Sequence, residues 1–168
     1  MTLQFQMALV QLQSPSGSVV IPEPSVFEDE GACLQFICEQ LASRNFLKFH
    51  VSGFGDLAWP VDVRTDLCVI MEQIIEILGQ LRVGVNCSLD FYEQGIERRI
   101  LFTSNNDTLL AECLCDLSWT PVPSRIMISR TDFLLMLDRL VDDFLQYTAL
   151  LGSKSLTFRA RSLLKKPS

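Results

Sequence analysis

The chain has 168 residues, of which 48% are hydrophobic and 20% charged. That composition excludes a disordered chain, which cannot bury enough apolar surface to offset the entropy of ordering, and it supplies a core without disulfide or metal staples. The net charge of −6 excludes a nucleic-acid-binding body, because phosphate contacts need clustered Lys and Arg.

Residues 2–12 alternate, with Leu3, Phe5, Met7 and Leu9 on one side, which predicts a half-buried strand. Ser14-Pro15-Ser16-Gly17-Ser18 is turn chemistry, and Val19-Val20-Ile21 predicts a return strand. Ser25-Val26-Phe27-Glu28 matches a capping box, in which hydroxyl and carboxylate satisfy free backbone donors. The helix it opens is expected to run to about Arg44, with Cys33, Phe36, Ile37 and Leu41 inward and Asn45 ending it. Leu47, Phe49 and Val51 then alternate with Phe46, Lys48 and His50 as a strand. A loop rich in Gly and Pro follows, from Gly53 to Thr65. The next helix is capped by Thr65 or Asp66. Its apolar stripe is Leu67, Ile70, Met71, Ile74, Ile75, Leu78 and Leu81, with Glu72, Gln73, Glu76 and Gln80 opposite.

A meander comes next, with Val85, Cys87, Leu89 and Phe91 on one face. Glu93-Gln94-Gly95 turns the chain and Ile96–Thr103 returns it. Ser104-Asn105-Asn106-Asp107 turns it again into Thr108–Leu117, where Leu109, Ala111, Cys113 and Cys115 share a face. The segment Trp119-Thr120-Pro121-Val122-Pro123 leaves the sheet, since two prolines cannot serve a central ladder. A short strand at Arg125–Ile128 precedes a helix opened by Ser129-Arg130-Thr131-Asp132 and running to about Leu151. That helix carries Phe133, Met136, Leu137, Leu140, Phe144 and Tyr147. Leu156, Phe158 and Ala160 alternate with Thr157, Arg159 and Arg161, which predicts a last strand. The expectation is one α+β domain over residues 1–168, with a mainly antiparallel sheet and three amphipathic helices.

The charge is divided. Residues 1–151 carry a net −11, and the last 17 residues carry +5 from Lys154, Arg159, Arg161, Lys165 and Lys166. The tail is expected to pack on its own acidic body; the functional alternative is contact with a phosphate or lipid surface. The opening residues lack a basic n-region and an unbroken apolar core, and no apolar run has the roughly 18 residues of a span. A cytoplasmic protein without membrane segments is expected, and the six cysteines read as reduced core residues.

Catalytic signals are sparse. His50, the only histidine, stands beside Lys48 on a strand's outward face without a local Ser or Cys motif. Cys33 and Cys38 are five apart on a helix, and Cys113 with Cys115 makes half a zinc site, so no metal and no cofactor is expected. Gly53-Phe54-Gly55 lacks the third glycine and the helix of a dinucleotide fingerprint, and instead permits a tight exit from the strand. Asp56, Asp62 and Asp66 flank Trp59, and Asp90, Tyr92, Glu93 and Glu97 surround the first hairpin. Paired carboxylates can serve acid–base chemistry, but acids at turns and caps are ordinary. Aromatic anchors framed by charge, Trp59 and Trp119 among them, fit an interface; the other reading has both tryptophans plugging the open ends of the sheet.

The stretches GFGDLAWPVDVRTDL, LDFYEQGIERRILF and SWTPVP, together with the size, acidity and α+β make-up, give the chain its resemblance to bacterial immunity proteins that neutralise toxins. That resemblance implies a non-enzymatic cytosolic protein that binds a toxin domain and blocks its active site or substrate path. Type III secretion chaperones, which bind a secreted effector, are similar in size and charge and stand second; a carboxylate-dependent enzyme stands third. The expected docking surface joins the Phe54–Asp66 loop to the Tyr92–Glu97 hairpin. Trp59, Phe54 and Tyr92 supply the aromatic part, and Asp56, Asp62, Asp66, Glu93 and Glu97 an acidic rim for a basic partner. A homodimer is compatible with the same features.

Overall fold

The computed structural model describes residues 4–14, 27, 29–93 and 95–165. Strand β1 (Phe5–Gln11) buries Phe5, Met7 and Leu9, as its period of two requires. The return strand expected at Val19–Ile21 lies outside the described residues; among those described, β1 has β2 (Leu47–Gly53) as its partner. The two pair antiparallel from Phe5↔Gly53 to Gln11↔Leu47. Between them runs α1 (Glu30–Ser43), whose N-cap is Asp29: its Oδ1 accepts from Ala32 N–H at 2.7 Å. Ser25 and Glu28, the expected capping box, also lie outside the described residues. Both Cys33 and Cys38 are fully buried, so α1 turns a wider arc inward than their separation implied, and Asn45 ends it at φ 50°.

Helix α2 (Asp66–Arg82) buries the expected stripe, except that Ile75 is half-buried, and adds Cys68, Val69 and Ile77. Strands β3 (Cys87–Phe91), β4 (Arg98–Asn105), β5 (Thr108–Cys115) and β6 (Arg125–Ser129) form a second antiparallel sheet in chain order. Leu89 faces Ile100, Ile100 faces Cys113, and Ala111 faces Ile126 across the ladders. The antiparallel expectation therefore holds as two sheets rather than one. Val85 stays outside the strand and exposed, so β3 starts two residues later than its alternation indicated. Helix α3 (Arg130–Ala149) is capped by Ser129, whose Oγ accepts from Asp132 N–H at 3.2 Å.

The C-terminal segment corrects a reading of periodicity. Lys154–Leu163 is a helix, α4, and not a strand, so the described residues form four helices where three were expected. Ser153 Oγ accepts from Leu156 N–H and nucleates it. Leu156, Ala160 and Leu164, at i, i+4 and i+8, are buried, whereas Phe158, which a strand would place beside them, is 76% exposed. Helix α4 packs on α3 and α1, α2 packs on β3, and α3 packs on β1 and the β5–β6 edge. One continuous cluster of buried side chains runs through all of these elements.

Candidate functional site

Gly53, Phe54, Gly55 and Asp56 reverse the chain as it leaves β2. Gly53 and Asp56 exchange both backbone hydrogen bonds, at 2.8 and 3.0 Å, and the two central residues have φ of 54° and 87°. That is the type I′ geometry whose twist suits a hairpin, and Phe54 adopts it without being glycine. Its ring is buried against Phe5 and Trp59, and this burial offsets the backbone strain. Gly55 is required for a second reason: a Cβ there would collide with the Val122 carbonyl oxygen. Val122 N–H also donates to Phe54 O at 3.0 Å, so the proline-rich segment lies directly on the turn.

The chain then folds inward at Trp59, which is 4% exposed. Its indole N–H donates to Gly53 O at 3.2 Å and its backbone N–H to Val51 O at 2.8 Å. Trp59 meets Phe91 edge-on at 5.1 Å and Trp119 at 6.1 Å. Trp59 and Phe54 therefore belong to the core; neither is available as a surface anchor. An indole with its N–H satisfied and its rings enclosed is more stable inside than at a rim.

Arg98, at the start of β4, completes the junction and is the residue that the sequence reading missed. Its guanidinium carbon lies 3.6 Å from the Trp119 ring centroid and 4.4 Å from that of Trp59. Both terminal nitrogens donate to Asp56 Oδ2 at 3.3 Å. The side chain is 5% exposed, and its Nε has no partner among the described residues. A weakly hydrated guanidinium set in the angle of two indoles that meet edge to face, closed by a carboxylate, ties the turn, the proline-rich segment and the second sheet together. Its signal was present in the sequence: Ile96, Arg98, Ile100 and Phe102 share the inward row, and a buried arginine there needs an acid and aromatic faces.

The expected acids divide between two places. Asp56 belongs to the Arg98 junction and also accepts from Ala58 N–H at 3.2 Å. Asp62 is exposed and acts as a cap, its Oδ1 accepting from Thr65 N–H at 2.7 Å and from the Thr65 hydroxyl at 3.0 Å. Asp66 reaches back to accept from Asp62 N–H at 2.8 Å, a reciprocal cap one residue wider than the standard box. Asp66 is buried, with Oδ1 unpartnered among the described residues; burial pushes its pKa up to about 6, and the nearby Asp62 and Glu93 charges add to the rise. As a rim acid it is therefore lost, since it lies beneath the surface. Tyr92 is exposed and its hydroxyl donates to Glu72 Oε2 at 3.4 Å; burial of its ring and then the Glu72 charge raise its pKa. Asp62, Asp66, Glu93, Glu72 and Tyr92 are thus brought together, while the half-buried Glu97, at φ 43°, takes no described part in either group.

Beside the turn, two apolar side chains are also exposed. Leu57, two residues beyond Gly55, is 89% exposed, and Val122 is 72% exposed. Both ride on segments fixed from behind by the Trp59–Arg98–Trp119 stack.

The remaining reactive groups are quiet. All six cysteines are free thiols. Cys38 sits against Cys68 in the core, and that hydrogen bond together with burial lifts its pKa well above the usual thiol value; burial pushes Cys87 up to about 11 and Cys113 up to about 12. Such thiols carry almost no thiolate near neutrality. Among the described residues, no three His, Cys, Asp or Glu side chains converge in a way that could hold a metal ion. No described helix is long and apolar enough to cross a membrane. No family model matches the chain, and neither a curated protein nor a solved structure is detectably similar to it.

Proposed function

We propose that the chain is a non-enzymatic partner-binding protein of the immunity kind, acting in a bacterial cytoplasm by capping a basic toxin domain. One observation carries the reading: two large apolar side chains, Leu57 and Val122, are held out to solvent on segments locked from behind by Arg98 and Asp56. Exposing apolar side chains on a rigid base lowers the ordering cost of binding, and an interface anchor needs that. Tyr92 adds an amphipathic contact, and Asp62, Glu72 and Glu93 add negative charge for a basic partner. The anchor role expected for Trp59 passes to Leu57 and Val122, while the acidic rim keeps Asp62 and Glu93.

The test is protection. The product of each gene neighbouring this one is made in cells alone, with the wild-type chain, with Leu57→Asp, or with Val122→Asp, and a toxic product is the candidate partner. The wild type is expected to restore growth, and each variant to lose that effect while melting at the wild-type temperature. A chain that never protects, or protects equally with both substitutions, overturns the reading.

A further inference from the structure

Helix α4 carries two stripes. Leu156, Ala160 and Leu164 face inward, and Lys154, Phe158 and Arg161 lie at i, i+4 and i+7 on the other side, with Lys165 just past the helix end. All four of the latter are exposed, and none of the three cations forms an ion pair among the described residues. An unpartnered phenylalanine among unpartnered cations is out of place on a chain whose first 151 residues carry −11.

A complementary surface exists on the same molecule. Between β1 and α3 lies a groove of about 480 Å³, lined by Leu135, Met136 and Leu140 together with Asp132, Asp143 and Arg139. Leu135, Asp142 and Ala149 fall at i, i+7 and i+14, on one side of α3, and all three are exposed. Ala149 also lines the shallow recess next to Phe158, Lys154 and Arg161. The groove and the basic stripe therefore lie along one side of the α3–α4 pair, the first toward the start of α3 and the second beyond its end.

We infer that the chain forms a two-fold dimer in which Phe158 of each copy enters the α3–β1 groove of the other, with Lys154 and Arg161 against Asp132 and Asp143. A two-fold axis crossing α3 between the patches, near the exposed Gln146, brings each patch onto its complement in one operation. Two equal contacts form and the assembly closes instead of growing into a filament. A second copy suits the stripe better than an anionic bilayer does, because it supplies acids itself, whereas a bilayer would also meet the acidic body. The inference does not depend on the partner-binding reading.

Sedimentation velocity of the full chain over a wide concentration range tests it. The wild type is expected to pass from monomer to dimer as concentration rises, with the dimer weakened by salt. Phe158→Asp leaves a monomer with an unchanged melt, since that side chain is exposed. Lys154→Glu with Arg161→Glu weakens the dimer by at least about tenfold, and adding Asp132→Lys and Asp143→Lys restores it. Because Asp143 is half-buried, Asp132→Lys alone provides a second rescue arm, expected to recover part of the loss. A monomer at every concentration, a dimer indifferent to Phe158→Asp, or no rescue by either reversal overturns the proposal. A monomer that binds phosphatidylglycerol vesicles through Phe158 also overturns it, in favour of a membrane.

Discussion

Arg98 and Asp66 are both ionisable groups taken out of water, and they have opposite consequences. Arg98 finds an acid and two aromatic faces, so its removal leaves Asp56 half-desolvated and a void against both indoles. Arg98→Ala is expected to lower stability by about 3 kcal/mol, and Arg98→Lys to recover less than half, because an ammonium has no planar face to pack against the rings and no fork for Asp56; urea denaturation measures both. Trp59→Ala, a core truncation, is expected to cost about 3–5 kcal/mol in the same assay. Asp66 finds only one donor. With its folded pKa pushed up to about 6, the folded state holds a proton that the unfolded chain has already released, so stability falls as pH rises from about 4 to about 6 and is level above that. The loss amounts to about 2–3 kcal/mol. Asp66→Asn is expected to flatten that slope and to raise the neutral-pH melting temperature, as calorimetry across the same pH window would record. Asp62 calls for a gentler change in binding work: Asp62→Asn removes the charge and keeps an acceptor for Thr65 N–H, whereas Asp62→Lys also removes the cap, at about 1 kcal/mol.

At the scale of elements, legibility depends on how much of a segment's pattern is local. Helices α2 and α3 were readable because seven or so apolar residues recur at helical spacing, α3 behind the Ser129 cap and α2 behind Thr65, which holds the N-cap position without a side-chain bond, and β2 and β5 because only one face of each is apolar. Helix α4 was misread since Leu156, Phe158 and Ala160 satisfy a period of two, while Leu156, Ala160 and Leu164 satisfy 3.6 equally well; the cap at Ser153 decides, and it follows a glycine that marks the end of α3. Ser153→Ala is expected to cost about 1 kcal/mol, read from the thermal melt. The tight turn at Gly53–Asp56 was visible in its glycines, yet the need for Gly55 comes from Val122, a residue 67 positions later in the chain. No local pattern encodes such a contact. Gly55→Ala, strained in backbone and blocked by a carbonyl, is expected to destabilise by about 2 kcal/mol or more and to free the 119–123 segment, which proton–deuterium exchange at Val122 N–H would detect.

Over the whole molecule, the candidate site was legible as a place and not as a set of contacts. The loop and the hairpin do meet, through Trp59–Phe91 and Asp56–Arg98, but Trp59 and Phe54, expected outside, are buried, and only Tyr92 of the expected aromatic set stays exposed. Composition favours an indole at either an interface or a core, and only the closure of the second sheet over Trp59 selects the core. Charge enters at this scale as a division between an acidic body and a basic end, and that end packs on the body through Leu156, Ala160 and Leu164. If Asp62 and Glu93 steer a basic toxin, association is expected to slow as salt rises, with Asp62→Asn lowering the on-rate and Leu57→Asp chiefly raising the off-rate, as stopped-flow and dissociation measurements would separate.

The chain has only two tryptophans, and they stand 6.1 Å apart with one guanidinium against both. All of the protein's indole emission thus arises at the junction that holds up Leu57 and Val122. A partner that settles on Leu57 and Val122 is expected to change the optical environment of that pair without touching either ring, and one that docks far away to leave the emission unchanged. The molecule comes with its own dye, attached where the question is.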